Sequence, residues 1–256
     1  MELESLITSR ANPRFKTLRS LLSAGGLGRT HTLLLGSKVI EAWAQARPAT
    51  AARFQPELWL RLEGQEPAPL ELNLGVDTLV LGETLMADLS GAGSPPAHAL
   101  LVRLGPEPTG PLPGRVIVPW GIQDPGNLGA ILRSAAAFGF QEALLGPLCA
   151  DPFSPKALRG SMGAAFLMPL RRTEQLTLDA GRWYALDGGP GAVPLADANL
   201  DAPLRLLVGN EGHGWQGAAL PSGIQRVAIP IAGVESLNAA VAAGIACFET
   251  ARRAQR

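Results

Sequence analysis

From residue 116 onward, short branched-aliphatic runs alternate with stretches of helical periodicity, an order that few architectures accommodate. Runs at 116–118, 143–145, 167–170, 183–186, 204–208 and 227–229 read as strands. Leu128, Ile131, Leu132 and Ala135 recur at helical spacing, and a second helical segment lies near Lys156. A small-residue helix is expected over 236–252, with Leu237, Val241, Gly244, Ile245 and Phe248 on its buried side. Parallel neighbours need a crossover connection, and crossover helices lie on the sheet faces. The alternation therefore predicts a parallel sheet covered on both sides.

The ten residues 105–114 hold four prolines and three glycines, which neither a helix interior nor a central strand tolerates. The expected fold class is α/β in two parts: a small α/β domain over 1–104, a Pro/Gly linker over 105–114, and the parallel-sheet domain over 115–256, each part with its own core. In the first part, Pro13 suits the first position of a helix over 13–24, with Phe15, Leu18, Leu21 and Leu22 apolar and Gly25-Gly26 at its end. Strands are expected at 32–35, 58–62, 79–81 and 99–104, and helices at 39–46 and 83–89.

Three strand candidates of the second part run directly into loops rich in Gly, Asn and Pro. The first loop leads into Asp124-Pro125-Gly126-Asn127-Leu128-Gly129-Ala130-Ile131-Leu132-Arg133. Pro125 and Gly126 fit a tight turn, and Asn127 sits at or near the helix N-cap. Arg133 lies off the apolar stripe, and because helical side chains tilt toward the N-terminus it is able to reach back toward Asn127. In the second loop, Gly209-Asn210-Glu211-Gly212-His213-Gly214 lets backbone approach a ligand, and Glu211 is placed to accept from Arg133. It has neither the Lys-Ser/Thr of a phosphate-cradling loop nor the spacing of a dinucleotide fingerprint, which argues against ATP and NAD. The third loop runs from Ile229-Pro230 to Ser236-Leu237-Asn238, with Ser236 the natural N-cap and free backbone donors beside it. Read singly, each segment is as compatible with a well-capped helix or a solvated loop as with function. Ligands of open parallel sheets bind beyond the carboxyl ends of strands, and all three loops leave from such ends.

The segments DPGNLGAILR, GNEG and IP followed by ESLN resemble, in this order, the three motifs of the SpoU (TrmH-type) RNA ribose 2′-O-methyltransferases of the SPOUT class. The resemblance covers roughly 115–256, and Ile7-Thr8-Ser9-Arg10-Ala11-Asn12-Pro13 resembles the start of the substrate-recognition domain that many members carry. One departure is the loop 231–235, a residue shorter than in members that align with it. The resemblance implies a trefoil knot in the C-terminal part, S-adenosyl-L-methionine as cofactor, a homodimer with the cofactor near its interface, and ribosomal or transfer RNA as substrate. It also implies a catalytic set of Arg133, Asn127, Glu211, Ser236 and Asn238, with Gly209, Gly212, Ile229 and Leu237 at the cofactor. A guanidinium stays protonated, so Arg133 is read as holding the target phosphate or orienting the hydroxyl rather than as a base. The alternative is an RNA-binding protein that keeps the fold without catalysis. The intact polar set argues against it.

Twenty-two basic and 22 acidic residues leave no net charge, hence no whole-chain signature of an indiscriminate nucleic-acid binder. The distribution is uneven: between Glu4 and Glu41 the chain carries Arg10, Arg14, Lys16, Arg19, Arg29 and Lys38 and no acid. Such a run is either a solvated face or a phosphate contact; beside a methyltransferase-like domain, Arg10, Arg14, Lys16, Arg19 and Arg29 are expected to meet RNA. Cys149 and Cys247, with His31, His98 and His213, form no ligand spacing, so no metal is expected. The longest uncharged apolar stretch, 239–248, is too short for a bilayer, and the start Met1-Glu2-Leu3-Glu4 is acidic where a signal peptide is basic. A cytoplasmic protein without a membrane partner is the expectation.

Overall fold

The computed structural model describes residues 6–23, 29–50, 52–91, 94–210 and 220–254. Its first half runs β1 (Leu6–Ile7), α1 (Pro13–Ser23), β2 (His31–Leu35), α2 (Ser37–Thr50), β3 (Phe54–Leu62), α3 (Pro69–Leu74), β4 (Asp77–Leu81), α4 (Glu83–Ser90) and β5 (His98–Leu104). The sheet order is β1-β4-β3-β5-β2, with β5 antiparallel to both neighbours and the other pairs parallel. Every strand and helix expected here forms. β1 and α3 were not anticipated: the first is two residues long, and the second is one short turn started by Pro69 and stopped by Gly75 at φ 68°.

Strand side chains alternate between two faces, and the alternation divides the core. Leu33, Leu60, Leu79 and Leu101 pack with Phe15 and Leu18 of α1 and Leu85 and Met86 of α4. Leu34, Trp59, Leu100 and Val102 point the other way, into a cluster that also holds Trp43 of α2.

The second half runs β6 (Arg115–Pro119), α5 (Pro125–Ala137), β7 (Glu142–Leu145), α6 (Pro155–Ser161), α7 (Ala164–Leu167), β8 (Leu170–Arg172), β9 (Arg182–Leu186), β10 (Val193–Pro194), β11 (Leu204–Val208), β12 (Ile224–Ala228) and α8 (Ala239–Ala254). Its sheet, β10-β12-β9-β11-β6-β7-β8, is parallel at every pairing. Two expected strands shift. The run at 167–170 divides, since Leu167 ends α7 and Pro169, which cannot extend a helix, precedes β8. The run at 227–229 is the tail of β12, whose first half was hidden by the polar Gln225 and Arg226.

The two halves share one core where separate cores were expected. The cluster containing Leu34, Trp43 and Phe54 continues without a break through Ile117, Phe153 and Phe166. Phe54 and Phe166 meet edge to face at 5.1 Å, and α2 lies so close to Gly163 that a Cβ there would stand 2.4 Å from that of Ala42. Residues 105–114 contain no helix or strand, but they are held down by backbone and arginine contacts. Gly105 N–H donates to the Arg53 carbonyl at 2.6 Å, Arg171 to the Gly110 carbonyl at 2.6 Å, and buried Arg205 to the Pro113 and Gly114 carbonyls at 2.7 and 3.1 Å. Proline and glycine supply free carbonyls as well as flexibility, and here the carbonyls decide.

Candidate active site

All seven strands of the second sheet are parallel, so the loops after β6, β11 and β12 leave from one edge. The chain winds outward from β6 through β7 to β8 and then returns to place β9, β11 and β12 on the other side, so the winding reverses beside β6. Such a switch point opens a crevice between the flanking loops. Across it, Trp120 N–H donates to the Val208 carbonyl at 2.9 Å. Gly121, at φ 68°, turns the first loop past Asn210, whose Cβ would lie 3.8 Å from a Cβ at 121.

At the start of α5 the N-cap is Asp124, whose Oδ1 accepts from Asn127 N–H at 2.9 Å, and Pro125 occupies the first helical position. The expected cap, Asn127, is thus the third helical residue. Aspartate and asparagine cap about equally well, and Pro125 favours the earlier start. The other carboxylate oxygen of Asp124 meets Lys156 Nζ at 2.5 Å. Lys156, and after it the Asn127 N–H, hold this carboxyl below the usual carboxylate range.

Relieved of capping, the Asn127 side chain accepts at Oδ1 from Nδ2 of Asn238, 111 positions away, at 3.2 Å. Asn238 is itself the cap of α8: its Oδ1 accepts from Ala240 N–H at 2.9 Å and Val241 N–H at 3.2 Å. Two backbone donors on the oxygen leave the amide nitrogen for Asn127. Ser236, the expected cap, lies exposed two residues earlier. Gly209, Ile229 and Leu237 are half-buried at the same edge, Ile229 against the main core. Glu211 and Gly212 lie outside the described residues. Arg133 is exposed and makes no hydrogen bond or ion pair with a described residue. Six positions beyond Asn127, it sits about 9 Å along the helix and about 120° around it.

α8 packs on α5, with Gly244 against Ser134: a Cβ at 244 would lie 3.4 Å from the serine Oγ. Of the face expected to be buried, Gly244 makes the contact and Leu237 is half-buried, but the three large residues between and beyond them turn outward. Ala239, Ala243, Ala246, Cys247 and Thr250 are buried, while Val241, Ile245 and Phe248 are 51%, 39% and 51% exposed. Close helix approach selects small residues for the contact and leaves the large ones outside. Burial pushes the Cys247 thiol well above the ordinary cysteine range.

The basic run of the first half also divides. Arg10, Lys16 and Arg19, with Ser20 and Ser23, line one open groove on α1. Arg10 holds Asp88 through Nε and Nη2 at 2.5 and 2.8 Å, so an acid distant in sequence joins the acid-free run. Arg14 is exposed on α1 but is not part of the groove. Arg29 stands apart from that groove: it is ion-paired to Asp151 of the second half and only 12% exposed, at the seam between the halves. Among the described residues no group of three His, Cys, Asp or Glu gathers to hold a metal, and no helix is long and apolar enough to cross a membrane. The cap role of Asp124 and its ion pair with Lys156 were not anticipated from the sequence, although Asp-Pro and Ser154-Pro155-Lys156 carry the cap-then-proline signature that marks such helix starts.

The model of the SpoU rRNA Methylase family matches residues 114–248. A Synechocystis sp. protein named as an uncharacterized tRNA/rRNA methyltransferase, slr1673, is 33% identical over 96% of this chain and 93% of its own length. The 23S rRNA (guanosine(2553)-2′-O)-methyltransferase RlmP of Bacillus subtilis is 28% identical over 94% of this chain and 97% of its own. Among solved structures, the SpoU methyltransferase AviRb from Streptomyces viridochromogenes in complex with AdoMet aligns with a TM-score of 0.79 at 23% identity, covering 95% of this chain and 98% of that one. The chain belongs to the SpoU family and is an RNA methyltransferase that uses S-adenosyl-L-methionine.

Proposed function

We propose that this protein transfers a methyl group from S-adenosyl-L-methionine to a ribose 2′-hydroxyl of structured ribosomal or transfer RNA in the cytoplasm. The observation that carries the reading is the Asn127–Asn238 hydrogen bond, which draws the starts of α5 and α8 together beyond the carboxyl edge of the sheet. The donor set suits the cofactor. Half-buried Ile229 and Leu237 offer apolar walls for a flat base, and Gly209, half-buried beside them, has no side chain to cover its backbone. When bound, the cofactor supplies an electrophilic methyl group on a sulfonium. The protein's task is positioning, because the ribose oxygen has to stand in line with the bond that breaks, at near-attack distance. Asn127, Ser236, Asn238 and Glu211 orient the ribose, and Arg133 holds the adjoining phosphate or the hydroxyl.

The remaining parts follow from the same reading. Residues 1–104 recognise the RNA, and the groove of Arg10, Lys16 and Arg19 tracks its backbone. The return of α8 from β12 at the sheet periphery to α5 in its middle supports a trefoil knot in the C-terminal part. Val241, Ile245 and Phe248 form an apolar stripe at i, i+4 and i+7, joined by Phe138, whose ring meets Phe248 at 5.7 Å; they support a homodimer that closes over the site.

The test is incubation with labelled cofactor and RNA from cells lacking the gene, followed by mapping of ribose methylation. A single 2′-O-methyl position is expected; methylation on a base, or none, refutes the reading. Arg133→Ala should lower transfer on the order of a hundredfold with cofactor affinity unchanged, and Arg133→Lys should not restore it, since an ammonium cannot reproduce the planar fork.

A further inference from the structure

A cleft of about 430 Å³ lies at the seam between the two halves, away from the methyl-transfer edge loops described above. Arg29, Arg53, Glu107, Phe153, Arg172 and Glu174 are among the residues that line it. Two of its three guanidinium groups are matched by carboxylates: Arg29 pairs with Asp151, and Arg172 with Glu107 at 2.7 Å. Arg53 is different. Its Nη2 donates to the Leu170 carbonyl at 2.8 Å, its Cζ lies over the Phe54 ring at 5.3 Å from the ring centre, and among the described residues its buried Nε–H meets no acceptor. No carboxylate among the described residues makes an ion pair with it. A buried donor left unmade is costly, and a stacked, preset guanidinium is suited to a phosphate oxygen.

The cleft also has a definite position relative to the reaction. Phe153 belongs to the loop after β7, and Arg172-Thr173-Glu174 end β8 and begin the loop after it, so these walls stand on the same carboxyl edge as the motif loops. β8 is two strands from β6, about 10 Å along that edge. Resting on the RNA-methyltransferase reading, we propose that the seam cleft binds a backbone phosphate of the substrate RNA a few nucleotides from the reacting ribose, with Arg53 as its principal ligand. The phosphate there bridges the recognition half and the catalytic half. Burial lowers the Arg53 pKa from its ordinary value, with neighbouring Arg172 acting in the same direction and Glu107 and Glu142 opposing it. Glu174, exposed at the rim, is the one lining acid without an ion pair among the described residues, and it faces an incoming phosphate unfavourably.

The experiment uses the full-length protein and protein-free total RNA from cells lacking the gene, with RNA affinity, ribose methylation, cofactor affinity and melting temperature read on each variant. Arg53→Gln should weaken RNA binding about tenfold, with cofactor affinity unchanged. Because Arg53 also braces Leu170, the exposed Glu174→Gln is the second variant: it should tighten RNA binding about twofold to threefold at low salt, a gain that shrinks as salt is raised. RNA affinity unchanged in both variants overturns the assignment, as does an Arg53→Gln loss that tracks a fall in melting temperature while Glu174→Gln is neutral. Saturable binding of inorganic phosphate that Arg53→Gln abolishes without any effect on RNA makes the cleft a free-anion site and also overturns it. Wild-type protein that methylates ribose while both variants leave RNA affinity unchanged refutes the cleft alone; wild-type protein that neither binds nor methylates RNA removes the functional reading as well.

Discussion

Asn238 combines two jobs that substitution can separate. Its Oδ1 caps α8 through Ala240 and Val241 N–H, and its Nδ2 donates to Asn127. Asn238→Ala removes both. Loss of an asparagine cap costs about 1 kcal/mol, and loss of an exposed side-chain hydrogen bond adds about 0.5 kcal/mol, so the variant should be less stable by about 1.5 kcal/mol. For a chain of this size that is about 4 °C in melting temperature. Asn238→Ser keeps an equally good cap but is too short to reach Asn127, so it should lose only about 0.5 kcal/mol. Both variants should lose methyl transfer to a similar degree, because both release Asn127. Denaturant unfolding monitored by circular dichroism gives the stabilities, and transfer of labelled methyl to RNA gives the activity. Asn238→Ser as unstable as Asn238→Ala would mean that Asn238 does not act as a cap, and a serine variant with wild-type transfer would mean that the Asn127–Asn238 bond has no part in the site.

Three further outcomes follow from packing. At Gly129 a Cβ would lie 2.5 Å from the Ala157 carbonyl oxygen and 2.8 Å from Ser161 N, both backbone atoms that cannot swing away, so Gly129→Ala should cost about 3 kcal/mol of stability; a variant that melts with the wild type contradicts the close approach of α5 and α6. On the proposed homodimer, Phe248→Glu places a charge in the exposed stripe of α8, so the wild type should sediment as a dimer and the variant as a monomer; a variant that dimerises like the wild type moves the interface elsewhere. Deleting residues 1–104 strips Phe153 and Phe166 of their partners, so the fragment should bind a hydrophobic dye and unfold without cooperativity; a fragment that unfolds cooperatively and binds the cofactor as well as the full chain would show that the shared cluster is dispensable.

The strand–loop–helix units around the site were legible because branched-aliphatic runs and the residues that follow them carry local signals: 204–208 is a strand from end to end, and α5 follows β6 as read. What escaped the sequence is what depends on a partner. Asp124, Asn127, Ser236 and Asn238 are all competent caps; Pro125 favours Asp124 for α5, and the contact that sets Asn127 against Asn238 is between residues 111 positions apart. Val241, Ile245 and Phe248 carry the apolar period that marks a buried face, yet the contact with α5 admits only small residues, so the larger ones turn out. The charge run from Arg10 to Arg29 is free of acids along the chain, but Asp88 and Asp151 come to it through space.

The same seam answers why the recognition half would share a core with the catalytic half instead of hanging on a flexible tether. Ribose methylation discriminates among many chemically identical hydroxyls, so the selecting groups have to stand at a fixed distance from the methyl donor. A free linker would leave the orientation of a bound RNA to chance and lower the fraction of encounters that reach in-line geometry. Here Arg29 to Asp151, Arg172 to Glu107, the Thr32 hydroxyl to the Phe153 carbonyl at 2.6 Å and the Phe54–Phe166 ring contact fasten one sheet to the other. The basic groove of α1 and the carboxyl edge of the second sheet are therefore parts of one rigidly packed surface. On the proposed reading, RNA held by the first presents a ribose to the second only where the span between them fits, and the seam then acts as a ruler for substrate choice.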